Sequence, residues 1–207
     1  MLLAIDTSAG ISVAVVDRDA GILAERGSDD TRSHAELIGD FIHECLRESG
    51  IAVSDLSGVV AGMGPGPFTG LRVGIAAARV FAIGAGKPVI PVVSHDAIAF
   101  GLTEPTLVVT DARRREVYWS LYSRMDAAGL PVRVDGPNLD RPADLATPDF
   151  VDRHSGYRRL DAATVSAGSL GMLAESLYAN KRPFAGSEPL YLRSPDVTPS
   201  DGPKRVS

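Results

Sequence analysis

The sequence holds a single cysteine, Cys45, among 207 residues. One thiol excludes an internal disulfide and a Cys-rich zinc site. Cys45 sits among Phe41, Ile42 and Leu46 and reads as a packed thiol of a core or interface, with no neighbouring base to activate it. Histidines are few: His34, His43, His95 and His154 form no HxxxH or HExxH pair, so a zinc centre is not expected. There is no excess of positive charge, the formal net charge being −5. A chain that gripped RNA alone would present a basic surface to displace counterions from phosphates. Any RNA contact is therefore expected to be shared with a partner. No apolar run reaches membrane length, and Met1-Leu2-Leu3-Ala4-Ile5-Asp6 lacks the charged and long apolar regions of a signal peptide. No membrane association is expected, and the expected location is cytoplasmic.

What is present is ordinary globular material, 44% hydrophobic and 23% charged. Residues 2–7, 11–17 and 22–26 read as a meander of strands separated by turn residues. Ser33 and Glu36 form a capping box. The helix it opens carries Leu37, Ile38, Phe41, Ile42, Cys45 and Leu46 at helical spacing and stops at Gly50. A strand at 59–62, a Gly/Pro loop, a helix from about Gly70 to Ala85, a strand at Val89–Val93 and a short helix after Ser94 follow. This β-β-β-α-β-α-β-α order predicts an α/β fold of the ribonuclease-H-like (actin/sugar-kinase/Hsp70-like) kind, with mixed sheets and helices on their faces. Leu107-Val108-Val109-Thr110-Asp111, with a returning strand over Glu116–Tyr122, repeats the opening strand and implies a decayed internal duplication. Residues 135–160 read as loop-rich, Thr164–Gly168 as a strand and Ser169–Asn180 as a helix. The expected division is a first lobe over 1–103, a second, shorter lobe over 104–194, and a flexible tail over 195–207.

Asp6-Thr7-Ser8 lies where the first strand turns. One reading is a phosphate or Mg²⁺ contact. The preferred one is a turn whose side chains bond its own backbone, because position in a fold does not establish function. The stretch from Gly62 to Arg72 is neither a Walker A loop, since no Lys-Ser/Thr follows, nor GxGxxG, since Thr69 stands at the third glycine's place. It reads as a rigid turn in which Gly64, Gly66, Thr69, Gly70 and Arg72 aim the next helix, with Thr69 as its cap. That helix mixes small residues (Gly74, Ala76, Ala77, Ala78, Ala82, Gly84) with Val73, Ile75, Val80, Phe81 and Ile83. Burial between sheet and first helix and a subunit interface both account for it. Ser94-His95-Asp96 is a triad only in sequence, and triads are made by geometry. Arg113-Arg114-Arg115 reads as a solvated turn ahead of a contact to phosphate or an acidic partner.

Four stretches in order resemble the TsaB (YeaZ-like) family: Leu3-Ala4-Ile5-Asp6-Thr7-Ser8, Ser33-His34-Ala35-Glu36-Leu37, Gly64 to Gly74, and Glu188-Pro189-Leu190-Tyr191-Leu192-Arg193. The resemblance covers nearly the whole chain. It implies a non-catalytic subunit that forms a heterodimer with TsaD, joined by the ATPase TsaE. TsaD transfers threonylcarbamoyl to N6 of adenosine 37 in tRNAs that read codons beginning with A. Docking is expected through the two helices of the first lobe, with Leu37, Ile38, Phe41, Leu71, Val73, Ile75 and Val80 as interface residues and a homodimer through a similar surface. Asp6, Thr7 and Ser8 are then a relic of a phosphate loop. Ser94 and Ile98 stand where the catalytic relative carries two metal histidines, so neither metal nor cofactor is expected on this chain alone, with ATP at the complex interface the remaining place for one. His95 departs from the apolar residue usual at its place, as a surface variation or a tuner of a partner contact. Two other functions stay open: an autonomous ATP-dependent kinase using Asp6 and Asp111, and a peptidase, as an old family label has it. A ribonuclease-H-like nuclease would need a carboxylate cluster, of which only Asp6 is placed.

Overall fold

A strand apolar at every position has no solvent face, so it belongs at the centre of a sheet. Leu2–Asp6 (β1) is apolar from Leu2 to Ile5 and is buried throughout, Asp6 included. In the computed structural model, which describes residues 1–29 and 34–193, β1 pairs antiparallel with Ile11–Asp17 (β2), Leu3 opposite Val15. It pairs parallel with Gly58–Gly62 (β4), Ala4 beside Val60. Gly21–Ser28 (β3) and Val89–Val92 (β5) complete a sheet of order β3-β2-β1-β4-β5.

Side chains alternate across this sheet. Leu3, Ile5, Val13 and Val15 face the helices His34–Ser49 (α1) and Phe68–Ala85 (α2), meeting Ile38, Cys45, Leu71, Ile75 and Ala78. Leu2, Ala4, Ala14 and Val16 face Ala167–Ala179 (α5) and Ser94–Ala99 (α3), meeting Leu170, Leu173 and Ala97. Helices thus cover both faces of a mixed sheet, as the sequence pattern predicts.

The second sheet has the order β8-β7-β6-β9, built from Thr106–Asp111 (β6), Val117–Tyr122 (β7), Arg133–Asp140 (β8) and Arg158–Asp161 (β9). β6 runs antiparallel to β7 and parallel to β9, as β1 does to β2 and β4. The internal duplication is therefore present in topology. One face packs Leu107, Val109, Trp119 and Leu121 on Leu145 and on Phe150 of the short helix Pro148–Arg153 (α4). On the other, Val108 and Tyr122 meet Ala99, which joins the two sheets through α3.

Three expectations change. Residues 135–160 are not loop-rich: they hold most of β8, all of α4 and the start of β9, whose polar side chains concealed a two-sided edge. The strand expected at 164–168 is absent; Ser166 caps α5 by accepting from the Ser169 N–H. α2 begins at Phe68, so Thr69 lies inside its first turn and does not cap it. The boundary at 103/104 falls between α3 and β6, yet α5 returns to lie on β1 and β2 of the first sheet. Ser33 and the segment 195–207 lie outside the described residues.

Candidate functional site

The turn after β1 is closed on itself. Asp6 Oδ1 accepts from the Ser8 N–H (2.8 Å) and the Ser8 hydroxyl (2.6 Å), and Oδ2 accepts from the Ser94 hydroxyl (2.5 Å). Ser94 Oγ in turn accepts from the Gly64 N–H (3.0 Å). Burial raises the Asp6 pKa above the ordinary aspartate value, against the lowering by these hydrogen bonds. Gly62 makes the arrangement possible: a Cβ there would stand 1.9 Å from Asp6 Oδ2. Asp6, Thr7, Ser8 and Ser94 are all buried. The turn therefore spends its polar groups on its own fold, and no face of the carboxylate is open to phosphate or Mg²⁺.

Thr7 works as a wedge in α2. Its hydroxyl donates to Gly70 O (2.7 Å) and accepts from the Gly74 N–H (3.1 Å), two groups that a helix ladder would pair with each other. Gly74 has no Cβ to obstruct it; one would lie 2.2 Å from Thr7 Oγ1. Gly64, Gly66 and Gly70 of the aiming loop are buried, while Thr69 and Arg72 face outward. The Arg72 guanidinium stacks over the Phe68 ring at 5.1 Å.

The helices meant for an interface divide sharply. Ile38, Leu71 and Ile75 are core residues of this chain and offer no surface. Leu37 and Phe41 of α1 and Val73 of α2 are half-buried. Val80 is 69% exposed and Ile83, which the sequence reading did not single out for the interface, is 80% exposed. With Ala76 they form an apolar stripe on the open side of α2.

His95 is not a surface residue. It is fully buried, with Nδ1 2.8 Å from Ser120 Oγ and Nε2 2.9 Å from Thr110 Oγ1, both on the second sheet. Burial, helped by Arg133, pushes its pKa down to about 3, so it is neutral. Ser94 bonds Asp6, and Asp96 accepts from Tyr122 (2.6 Å) and pairs with Arg133 (3.4 Å). Ser94, His95 and Asp96 thus point to three different partners, and no nucleophile–base–carboxylate relay exists there. Ile98 packs among apolar side chains. Cys45 is buried, donates weakly to Val13 O (3.2 Å), and has its pKa pushed up to about 11 by burial. It is a core thiol.

The closing motif folds back on the aiming loop. The Leu190 N–H donates to Met63 O (2.9 Å), Arg79 donates to Ser187 O (2.7 Å), and the Tyr191 ring lies 4.9 Å from that of Phe68. Arg193 pairs with Glu116. These contacts join three stretches distant in sequence around one cleft, whose Tyr118, Tyr191 and Arg193 the sequence reading did not assign. The alternation Tyr118-Ser120-Tyr122 along β7 was the available signal.

The chain matches the family described as TsaD: tRNA N6-adenosine threonylcarbamoyltransferase over residues 18–156. An uncharacterized protein of Mycobacterium tuberculosis (strain H37Rv) is 38% identical over 206 residues, covering 96% of this chain and 94% of that protein. The tRNA threonylcarbamoyladenosine biosynthesis protein TsaB of Haemophilus influenzae is 40% identical over 125 residues, 58% of this chain and 52% of the relative. The structure of YeaZ from Pseudomonas aeruginosa superposes with a TM-score of 0.73 at 25% identity, covering 92% of this chain and 99% of that one.

Proposed function

The chain belongs to the TsaB (YeaZ) family, a relative of the TsaD family, and from that premise we propose that it is a non-catalytic subunit in threonylcarbamoyladenosine formation on tRNA. In this reading it docks on a TsaD-type catalytic subunit, which transfers threonylcarbamoyl to N6 of adenosine 37, and a TsaE-type ATPase joins the pair. The observation that carries the reading is the apolar stripe on α2, with Val80 and Ile83 exposed on a helix whose only charged residues are Arg72 and Arg79. Each such side chain stabilises an interface by about 1.5–3 kcal/mol when fully buried. Leu37, Phe41 and Val73, half-buried on the same two helices, belong to the docking face in this reading. Ile38, Leu71 and Ile75 act from beneath by holding α1 and α2 on the sheet.

The closed turn supports an accessory role. Asp6 is consumed by Ser8 and Ser94, and Ile98 is apolar, so the first lobe keeps the frame of a phosphate loop without an opening to it. A kinase would need Asp6 free for metal–nucleotide. A peptidase would need the relay that Ser94, His95 and Asp96 do not form.

The test is association in solution. Purified chain and a TsaD-type subunit are mixed and followed by light scattering, with Val80→Glu and Ile83→Glu as variants. Both side chains are exposed, so the variants keep the native circular dichroism and melting temperature. Burying an unpaired carboxylate in the interface costs several kcal/mol, so the complex is lost. No complex with the unaltered chain at micromolar concentration, or full association by both variants, removes the reading. The same experiment without TsaD tells whether the stripe also makes a homodimer.

A further inference from the structure

At the N-terminal end of α2 lies a cleft of about 380 Å³, within the roughly 300–1,000 Å³ range of small-ligand sites. Its walls are the loop Gly66–Thr69, the turn Ala112–Arg114, Tyr118 of β7, and Tyr191 with Arg193. Among the described residues three arginines and no carboxylate line it, in a chain whose acidic residues outnumber its basic ones, 26 against 21. Among the described residues Asp111 pairs with Arg113 at 3.5 Å, and Glu116 pairs with Arg193. Part-exposed pairs of this kind are weak and are readily shared with an incoming anion.

Two features mark the cleft as built for a ligand. Tyr118 is only 2% exposed, yet its hydroxyl has no hydrogen-bond partner among the described residues, and it lines the cleft. That hydroxyl is reached from the cleft and not sealed in the fold, so it can donate to a bound group. Burial and Asp111 raise its pKa, so it keeps its proton and stays a donor. The turn that carries the arginines is strained: Arg113, Arg114 and Arg115 all have left-handed backbone, with φ of 65°, 53° and 63°. Each such non-glycine residue costs about 1–2 kcal/mol, and strain of this kind gathers at binding sites. Beside the arginines, Tyr191 and Phe68 leave 40% and 36% of their surfaces open. Arg72 covers one face of Phe68, and guanidiniums next to part-open aromatic rings suit a phosphate with a base attached.

We propose that this cleft holds one nucleotide unit of single-stranded RNA, its phosphate against Arg113, Arg114, Arg193 and the Tyr118 hydroxyl, its base on Tyr191 and Phe68. The choice of RNA over a free nucleotide rests on the tRNA-modification reading. The phosphate-and-base chemistry does not.

The probe is a fluorescein-labelled hexa-adenylate titrated with the whole chain at about 50 mM salt, read by anisotropy. AMP and inorganic phosphate are the competitors. Binding below about 100 μM is expected, with AMP and phosphate displacing the oligomer only at much higher concentration. Tyr191→Ala weakens binding about tenfold through lost stacking. Tyr118→Phe weakens it about fivefold with no loss of melting temperature, because the hydroxyl removed has no partner in the fold. Arg113→Gln reduces the salt slope by about 0.7. No binding, or binding unmoved by these variants, overturns the site. AMP competing as well as the oligomer overturns the RNA assignment. The docking experiment is separate: Val80→Glu removes association with the TsaD-type subunit and leaves hexa-adenylate binding intact, so the two readings fail independently.

Discussion

Replacing a helical glycine by alanine normally stabilises, by about 1 kcal/mol; at Gly74 the geometry reverses the sign. The Thr7 hydroxyl stands between Gly70 O and the Gly74 N–H, at 2.7 and 3.1 Å. A Cβ on residue 74 would lie 2.2 Å from Thr7 Oγ1 and 3.0 Å from Cγ2. Thr7 is buried and stiff at χ1, so it has no second position to take. Either the hydroxyl is expelled, forfeiting two hydrogen bonds at about 1 kcal/mol each, or α2 is pushed off the sheet, at about 1–3 kcal/mol. Against the propensity gain, Gly74→Ala is expected to destabilise by about 1–2 kcal/mol net. Urea denaturation reads this as a lowered midpoint at unchanged slope. Thr7→Ala alone lets Gly74 N–H return to Gly70 O and costs about 1 kcal/mol. The double variant should be no less stable than Thr7→Ala, a coupling of at least about 1 kcal/mol. A raised midpoint for Gly74→Ala, or strict additivity with Thr7→Ala, would refute the wedge.

The other predictions concern buried titratable groups. His95, with its pKa depressed from 6.5 to about 3, binds a proton far less readily folded than unfolded. Its contribution to stability is therefore complete above pH 6.5 and is lost as pH falls through that window, by on the order of 4 kcal/mol at its lower end. The buried carboxylates Asp6 and Asp96 have raised values and act in the opposite sense. Measuring wild type against His95→Gln across pH 3–7 cancels them; a difference between the two that does not change with pH contradicts the assignment. Cys45, with its thiol pushed up to about 11 inside the core, should resist iodoacetamide at pH 8 in the native protein and react on unfolding in urea. Labelling at equal rates in both states would place the thiol at the surface.

Much of the first lobe was legible because its elements carry one periodicity each. β1 is apolar up to its closing Asp6 and α1 repeats Leu37, Phe41 and Cys45 on one side. Burial and pattern agree there. The second sheet was less legible because β8 and β9 are polar edge strands, whose pairing comes from β7 and β6 and not from their own composition. At the candidate site, the preferred reading of Asp6-Thr7-Ser8 as a self-bonded turn agrees with the hydrogen bonds found. The interface set divides because small and apolar residues on all sides of α2 leave its orientation undetermined. Only packing shows that Leu71 and Ile75 point inward while Val80 and Ile83 point out. His95 was misread because its partners, Ser120 and Thr110, lie on the other sheet. No local pattern announces a pairing across two sheets.

The two repeats make the same turn and use it differently. Asp6 Oδ1 accepts from the N–H two residues on, and so does Asp111 Oδ1, from Arg113 at 2.9 Å. In the first repeat a glycine-rich loop follows the parallel neighbour β4, and it comes close enough to bury the aspartate and fill the space beside it. In the second, β9 is followed by no such loop, and Asp111 stays exposed at the base of a turn of arginines. Whether such a turn is a closed structural element or the wall of an open cleft is decided by what packs against it and not by the turn itself. A chain built in this way can seal the turn of one half while the matching turn of the other half stays exposed. That is why the sealed carboxylate at Asp6 and the exposed one at Asp111 are compatible in one molecule, and why the closure of the first turn does not decide what the second can do.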